Sequence, residues 1–437
     1  MTLAGAVQQA VTTHPKILSR VSEKKVERTR LRQATGRFLP TLDVSVSAGK
    51  QRIDQPAGLS EDRNRQWNFN RQATAEIGLV LFQGFDRANH VYGQVARLNA
   101  SALRILEESE QIALQTTEAY LDVLRHRKML AIVRQNIATH RRYLTKIENS
   151  FKGGSAIRGD VVQARERLRS AEAVVSEVEL ALGTVTAKFA NLVGVEPGRL
   201  AAVSYPSGLP GSVSLAMSKA HSSNPSLKAV EKDIDAIGYD KKRASSSFLP
   251  TAELVGRSSY GDYINATPGY RHEEYVGVRL SWNIFNGGIT RAKQDEQTEL
   301  QSVRRNYLDQ LRRDVDQTIR TAWVTKDSND KRQAALKRQI QEGQALVKAY
   351  EREFDAGQRS YLDLLSADGS LTNLRMELVS TQTIALFARY QLLASMGGLL
   401  DFFNIAPVPE GNQQAKPNSA LGFALSNGFV IKPLSDK

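Results

Sequence analysis

The 437-residue chain repeats itself, in order and in spacing, and this restricts its fold more than any other feature. His14-Pro15 returns as Asn224-Pro225, and Phe38-Leu39-Pro40-Thr41 returns as Phe248-Leu249-Pro250-Thr251. Leu81-Phe82-Gln83-Gly84 matches Ile284-Phe285-Asn286-Gly287, and Ala119-Tyr120 matches Ala322-Trp323. Phe151 with Asp160-Val161-Val162 matches Phe354 with Asp363-Leu364-Leu365. The spacing shortens only once, between the Pro250 and Phe285 landmarks. Two homologous halves, 1–210 and 211–400, precede a tail at 401–437 whose Pro, Asn and Ser content permits disorder.

Proline placement sets the element types. None lies between Pro56 and Pro197 or between Pro268 and Pro407, so nothing in those stretches forces a helix to kink. In the first, Val91, Val95, Leu98, Ala102 and Ile105 begin a 4-3 spacing that continues through Ile112, Ala119, Val123 and Leu130. Val133, Ile137, Leu144, Ile147 and Phe151 extend it, as in a coiled-coil seam. The pattern predicts a helix over 86–152 of roughly 100 Å at 1.5 Å per residue. A turn and a helix over 160–193 follow; the second half predicts helices over 290–355 and 363–398 in the same order.

Each half also carries a stretch of period two. Leu42, Val44, Val46 and Ala48 alternate with Asp43, Ser45, Ser47 and Gly49, and Ala75, Ile77, Leu79 and Leu81 alternate with Glu76, Gly78 and Val80. In the second half Val276, Val278, Leu280 and Trp282 alternate with Gly277, Arg279 and Ser281. Runs of this length, apolar on one side and small or polar on the other, fit transmembrane β-strands. The predicted strands are 40–55, 74–84, 250–262 and 274–286, in hairpins spanning 40–84 and 250–286. Val276, Val278, Leu280 and Trp282 are expected to face lipid, with Glu76 and Arg279 on the lumen side. Trp67, Phe69, Tyr260 and Tyr263 fall at the outer hairpin ends, and Phe82 and Phe285 at the inner ends, where aromatics suit a membrane interface. Four strands cannot close a barrel, and an open edge in lipid leaves backbone groups unsatisfied. Three chains of four strands give twelve, an allowed number, above a hollow tube of helices.

Other functions find little footing. There are no cysteines, which removes disulfides, thiol catalysis and cysteine metal sites. No run of about 18 apolar residues offers a helical span, and no secretory leader is expected, since Met1 leads into an amphipathic helix. The six histidines (14, 90, 126, 140, 221 and 272) include no pair at metal-ligand spacing, and no cofactor is expected. His126 and His140 read as satisfied packing residues in the seam. Gly153-Gly154 and Gly287-Gly288 lack the context of a phosphate cradle, and Arg158-Gly159-Asp160, though it spells an adhesion tripeptide, sits inside a turn motif. No nucleophile and base assemble, so no enzyme is expected. The net charge of +13 offers one alternative: a soluble, basic coiled-coil protein that binds nucleic acid. Its cations are mixed with Glu and Asp as on solvated helix faces, and that reading leaves the paired hairpins unexplained.

Over residues 1–400 the sequence resembles the TolC family of outer-membrane efflux and secretion proteins. The resemblance rests on the doubled F-L-P-T entries, the L-F-Q-G-F and I-F-N-G-G exits, and the turn motifs FKGGSAIRGDVVQAR and FDAGQRSYLDLLSAD. It implies a membrane α+β fold: a homotrimer with a 12-stranded outer-membrane β-barrel, four strands per protomer, continuous with a periplasmic α-helical coiled-coil barrel. The tail at 401–437 would be periplasmic. It also implies a Gram-negative cell, a periplasmic adaptor, an inner-membrane ABC transporter or RND pump, contact with outer-membrane lipid, and no nucleic-acid partner. The first exit motif resembles that of type I secretion members. The resemblance places Asp160, Arg359, Phe354, Asp363 and Ser366 at a periplasmic gate, with Arg359 and Asp160 as its charged link. Ser366 stands where members often carry a second acidic residue, and Phe354 where some carry tyrosine. Gly153, Gly154, Gly357, Val161 and Leu364 are the expected adaptor contacts.

Overall fold

The computed structural model describes residues 1–53, 66–264, 268–412 and 415. Each half opens with a helix pair: α1 (Leu3–Thr13) and α2 (Pro15–Gly36), then α5 (Val213–Ser223) and α6 (Pro225–Ser245). The duplicated proline explains the break. Proline fits the first helical position because it has no N–H to leave unpaired, and it pushes the preceding residue into extended backbone. That residue then caps the second helix: His14 Nδ1 accepts from Lys16 N at 3.3 Å, and Asn224 Oδ1 accepts from Ser226 N at 2.9 Å.

A strand pair and two long helices follow in each half. The first has β1 (Thr41–Gln51), β2 (Asn68–Gln83), α3 (Asp86–Lys152) and α4 (Arg158–Val193). The second has β3 (Thr251–Asp262), β4 (Tyr270–Ser281), α7 (Ile289–Asp355) and α8 (Tyr361–Ser395). Helices α3 and α7 are each 67 residues long, roughly 100 Å at the usual rise. The chain reaches α3 through a tight left-handed turn, with φ of 54° at Gly84 and 65° at Phe85. A Cβ at Gly84 would lie 2.4 Å from the Ser246 carbonyl oxygen, so the turn needs glycine.

The strands form one antiparallel sheet in the order β1-β2-β3-β4. Four bounds differ from the sequence reading: β1 ends at Gln51 rather than 55, β4 begins at Tyr270 rather than 274, and the other two follow. Strand β2 begins six residues before 74, because Asn68–Gln72 pairs with β1 although its polar side chains give little apolar alternation. Strand β4 stops at Ser281, so Trp282 lies beyond the strand to which it was assigned. There its indole N–H donates to the Phe248 carbonyl at 3.1 Å, while Asn286 Oδ1 accepts from Thr290 N to begin α7. The expected strand to 286 is thus cut short by a helix cap. Leu81 also leaves its expected place: register shifts between Val80 and Phe82, and Phe82 stands opposite Ala252.

The contacts divide the chain into two compact units that cut across the repeats. The first comprises Met1–Ser22, Ala102–Lys228 and Asp309–Asn412. In its main core, Leu3, Ala6, Val7, Ala10 and Val11 of α1 present one apolar stripe to Ile112, Tyr120, Phe189 and Leu392. The segment leading into the tail, and the start of the tail, are helical in this unit. Helix α9 (Leu399–Phe402) and helix α10 (Pro409–Asn412) are ordered, and Leu399, Leu400 and Ile405 are buried in the same core. Glu110 holds this segment, its carboxylate accepting from Leu399 N at 3.1 Å and Leu400 N at 3.2 Å. The rest of the tail, apart from Ala415, lies outside the described residues. The second unit, built on Glu23–Ser101 and Ala229–Leu308, holds the sheet and a smaller core of Leu31, Ala34, Val91, Val95 and Leu98.

Candidate functional site

The sheet sorts its side chains by face, with charges entering the apolar face only toward the loop end, as at Glu274 and the Arg71–Asp262 pair. Residues directly paired across strands share a face, and successive residues alternate. One row is Leu42, Ile77, Gly256 and Val276, and the next contains Leu79, Leu254 and Val278. This apolar face is open: Val46 is 77% exposed, Val276 81%, Val278 61% and Leu280 69%. Exposed apolar patches of this kind mark membrane or protein interaction surfaces. On the other face Asp43, Glu76, Arg257 and Tyr275 form a row. Arg257 Nε donates to Glu76 at 3.0 Å, and Arg279 lies 3.8 Å from Glu76 and 3.5 Å from Glu253. Glu76 and Arg279 therefore share the charged face and an ion-pair network. The outer edges of β1 and β4 have no strand partner among the described residues.

Aromatic residues border both ends of the apolar face. At the loop end Trp67, Phe69, Tyr260 and Tyr270 are exposed, with Tyr260 and Tyr270 stacked at 5.6 Å. Arg71 lies over Tyr270 at 5.4 Å and donates to its hydroxyl at 2.6 Å. Tyr270 was missed from sequence because the strand residues after it carry charges, and Arg71 because its polar neighbours show no apolar alternation. Tyr263 is only half-buried and sits in the connecting turn at φ 61°. At the helix end Phe248, Trp282, Ile284 and Phe285 are exposed, and Phe82 packs edge-on to Phe85 at 5.6 Å.

In the other unit, the α3–α4 and α7–α8 turns bring most of the expected gate residues near one another but not into the expected pair. Arg359 Nε donates to Glu353 at 2.9 Å, its Nη1 lies 3.7 Å from Asp363, and its guanidinium covers Tyr350 at 4.3 Å. Asp160 instead accepts from Ile157 N at 3.3 Å, folding back on the start of its own helix. The Arg359–Asp160 link is therefore not made within one chain, because each residue finds a partner on its own hairpin. The contacts between hairpins come from elsewhere. Tyr143 donates to Glu351 at 2.8 Å, Arg142 joins the same carboxylate at 3.2 Å, and Lys146 meets Asp355 at 2.8 Å. No local motif announces these pairs, since each joins residues more than two hundred positions apart.

Phe354 packs on Tyr361, centroids 6.1 Å apart, and Tyr143 meets Tyr361 edge-on at 6.2 Å. Burial pushes the Tyr361 phenol up, helped by the charge of Asp368. Asp368 is buried, facing α3, where Asn136 donates to it at 2.9 Å; burial raises its carboxyl. Ser366 is exposed and Asp363 half-exposed. Gly154 and Gly357 take φ of 79° and 73°, closing the two turns. Gly153 N donates to Asn149 O at 3.0 Å. Val161 and Leu364, expected as adaptor contacts, are instead buried in the core beneath these turns, 7% and 1% exposed. The surface belongs to their neighbours Ile157, just before α4, and Val162 and Leu362 on the helices. His140, expected to be satisfied, is buried with Nδ1 unpartnered among the described residues.

Four antiparallel strands with one apolar and one charged face, running directly into 67-residue helices, define a protomer of an outer-membrane export duct. The chain belongs to the outer membrane efflux protein family, whose model matches residues 6–195 and 216–398, one block in each repeat. It is 27% identical over 357 residues to the outer membrane efflux protein BepC of Brucella suis, covering 81% of this chain and 78% of that protein. It is 24% identical to the alkaline protease secretion protein AprF of Pseudomonas aeruginosa, covering 90% and 83%. The outer membrane protein TolC of Escherichia coli is 22% identical, with 97% and 89% covered. Among solved structures, CusC superposes with a TM-score of 0.79 at 16% identity, covering 91% of this chain and 92% of that one. VceC of Vibrio cholerae gives 0.77 at 17%, covering 91% and 96%. The fold class is that of these outer-membrane channels. The nucleic-acid alternative is supported by none of these matches.

Proposed function

We propose that three copies of this chain close a 12-stranded barrel in the outer membrane of a Gram-negative cell. Their helices form the periplasmic part of one export duct. The observation that carries this is the four-stranded sheet itself, apolar and exposed on one face, with two edges that require partners. The apolar face meets lipid, with Val276, Val278 and Leu280 in the hydrocarbon and Trp282 at its border. The duct receives cargo from an inner-membrane pump, an ABC transporter or an RND protein, through a periplasmic adaptor that docks on the exposed helix turns. Protein cargo is the reading we favour, supported by the similarity to AprF along most of both chains and by the L-F-Q-G-F exit.

Extraction and electrophysiology test this together. The protein should require detergent for release from outer membranes, elute with the mass of three chains, and conduct ions in planar bilayers. A freely soluble monomer without conductance overturns the duct. Deleting the gene in its native cell then separates the cargoes: loss of a secreted protein supports type I secretion, and drug sensitivity alone supports efflux.

A further inference from the structure

The duplication supplies a pattern for a surface that one chain leaves bare. Counted from Gly84 and Gly287, residues Tyr92, Gly93, Ala96 and Ala100 of α3 correspond to Asp295, Glu296, Glu299 and Val303 of α7. Counted from Pro15 and Pro225, residues Val26 and Thr29 of α2 correspond to Ala236 and Tyr239 of α6. Inside the second unit α3 lies against α6. Tyr92 stacks on Tyr239 at 5.5 Å, Arg97 pairs with Asp240, and a Cβ at Gly93 would stand 3.5 Å from the Tyr239 Cβ. Tyr92, Ala96, Ala100 and Ala236 are accordingly buried. Their counterparts are not. Asp295, Glu296, Glu299 and Thr29 are exposed, Val303 is 65% exposed and Val26 50%.

The strand order says what covers them. Helix α2 leads into β1, α3 leaves β2, α6 leads into β3 and α7 leaves β4, so the helices follow the order of the sheet. Closing a barrel joins β4 of one copy to β1 of the next, which sets α7 beside the next copy's α2. That junction is the counterpart of α3 with α6. The two bare faces also match in charge. Glu296, Glu299 and Val303 follow one another at helical spacing along α7, as Lys25, Thr29 and Arg32 do along α2. Asp295, Glu296, Glu299, Lys25 and Arg32 make no ion pair among the described residues. Bulk is exchanged across the joint as well. Where one chain sets Gly93 against Tyr239, two copies set Glu296 against Thr29.

We propose that the seam between copies keeps the register of the α3–α6 junction but is held by charge. Glu296 of one copy lies against Thr29 of the next, and Asp295, Glu296 and Glu299 stand opposite Lys25 and Arg32. This rests on the trimer proposed above, and adds where its helices meet and what holds them. Exposed ion pairs are individually weak and screened by salt, so the seam, unlike the tyrosine-stacked junction inside the chain, responds to ionic strength.

The chain has no cysteine, so the contact can be read by cross-linking. A disulfide needs Cβ atoms about 3.5–4.5 Å apart, a range that the Gly93–Tyr239 separation meets. Full-length Thr29→Cys/Glu296→Cys, oxidised in outer membranes and boiled without reductant, should run as covalent dimer and trimer. Reductant should return it to single chains. Either single variant should stay a single chain, as should Thr29→Cys/Arg305→Cys, whose second position lies on another face of α7. The native mass of the same sample reads the trimer separately. Three chains without the cross-link, or equal linking through position 305, overturns the register and leaves the duct standing; one chain overturns both. For the charges, Glu296→Lys/Glu299→Lys should lower by several degrees the temperature at which the assembly separates. Adding Lys25→Glu/Arg32→Glu should restore it. A separation temperature that the first pair leaves unmoved, or that the second pair fails to restore, overturns the charged seam.

Discussion

Glu110 shows how one buried carboxylate can give this molecule a pH dependence. Burial pushes its carboxyl up to about 7, against the pull of the two backbone N–H groups at Leu399 and Leu400. A carboxyl raised in the folded state favours folding when protonated. The folded chain then binds more protons than the unfolded one between about pH 4.5 and pH 7, so stability falls as pH rises through that window and levels off above it. The full loss is roughly 3 kcal/mol per chain. Glu110→Gln removes the titration. Denaturation of both proteins across pH 4.5 to 8 should show the wild type losing stability relative to the variant up to about pH 7. Parallel profiles would mean that Glu110 does not titrate in this range. Nothing in the sequence distinguishes Glu110 from Glu107 or Glu108, because its burial depends on a segment nearly three hundred residues away.

At the scale of elements, the duplication and the prolines made the order of helices and strands legible, because both act locally and twice. The exceptions were places where a distant contact decides. Strand β4 ends where Trp282 reaches Phe248, and the tail becomes helical where Leu399, Leu400 and Ile405 find a core. Face assignment was legible in the sheet up to the register shift at Leu81, and off by one or two residues at the helix turns, where burial follows a packing partner that the sequence does not name. Two predictions follow from these faces. Leu280→Arg places a charge on the apolar face and should cost about 2–4 kcal/mol if it sits near mid-bilayer. Its insertion into lipid vesicles should drop accordingly, and insertion equal to wild type would remove this strand from the membrane. Val161→Asp puts an unpaired charge into the core beneath the turns and should lower stability by about 3 kcal/mol. Val162→Asp, on the exposed side, should melt like wild type yet weaken adaptor co-purification; equal adaptor recovery in both would move the docking surface off α4.

For the whole molecule, the proposed trimer turns each turn residue into a ring of three. The contacts within one chain alter what that ring does. Arg359 is held by Glu353 and stands close to Asp363, so it closes its own loop and at the same time offsets the negative charge that Asp363 presents. Charged rings set ion preference in pores, and under the proposed gate Asp363 supplies an acidic ring to which Ser366 adds no second charge. Arg359→Ser should therefore do two things in planar bilayers. It should raise conductance several-fold, by loosening a loop that Glu353 and Tyr350 now fix, and it should strengthen cation preference, by unmasking Asp363. Asp363→Asn should weaken cation preference with little change in conductance. The double variant should combine the larger conductance of the first with the weaker selectivity of the second. Selectivity unchanged in Asp363→Asn would place the narrowest charged ring elsewhere. Conductance unchanged in Arg359→Ser would show that the links between α3 and α7, through Tyr143 with Glu351 and Lys146 with Asp355, hold the entrance without it.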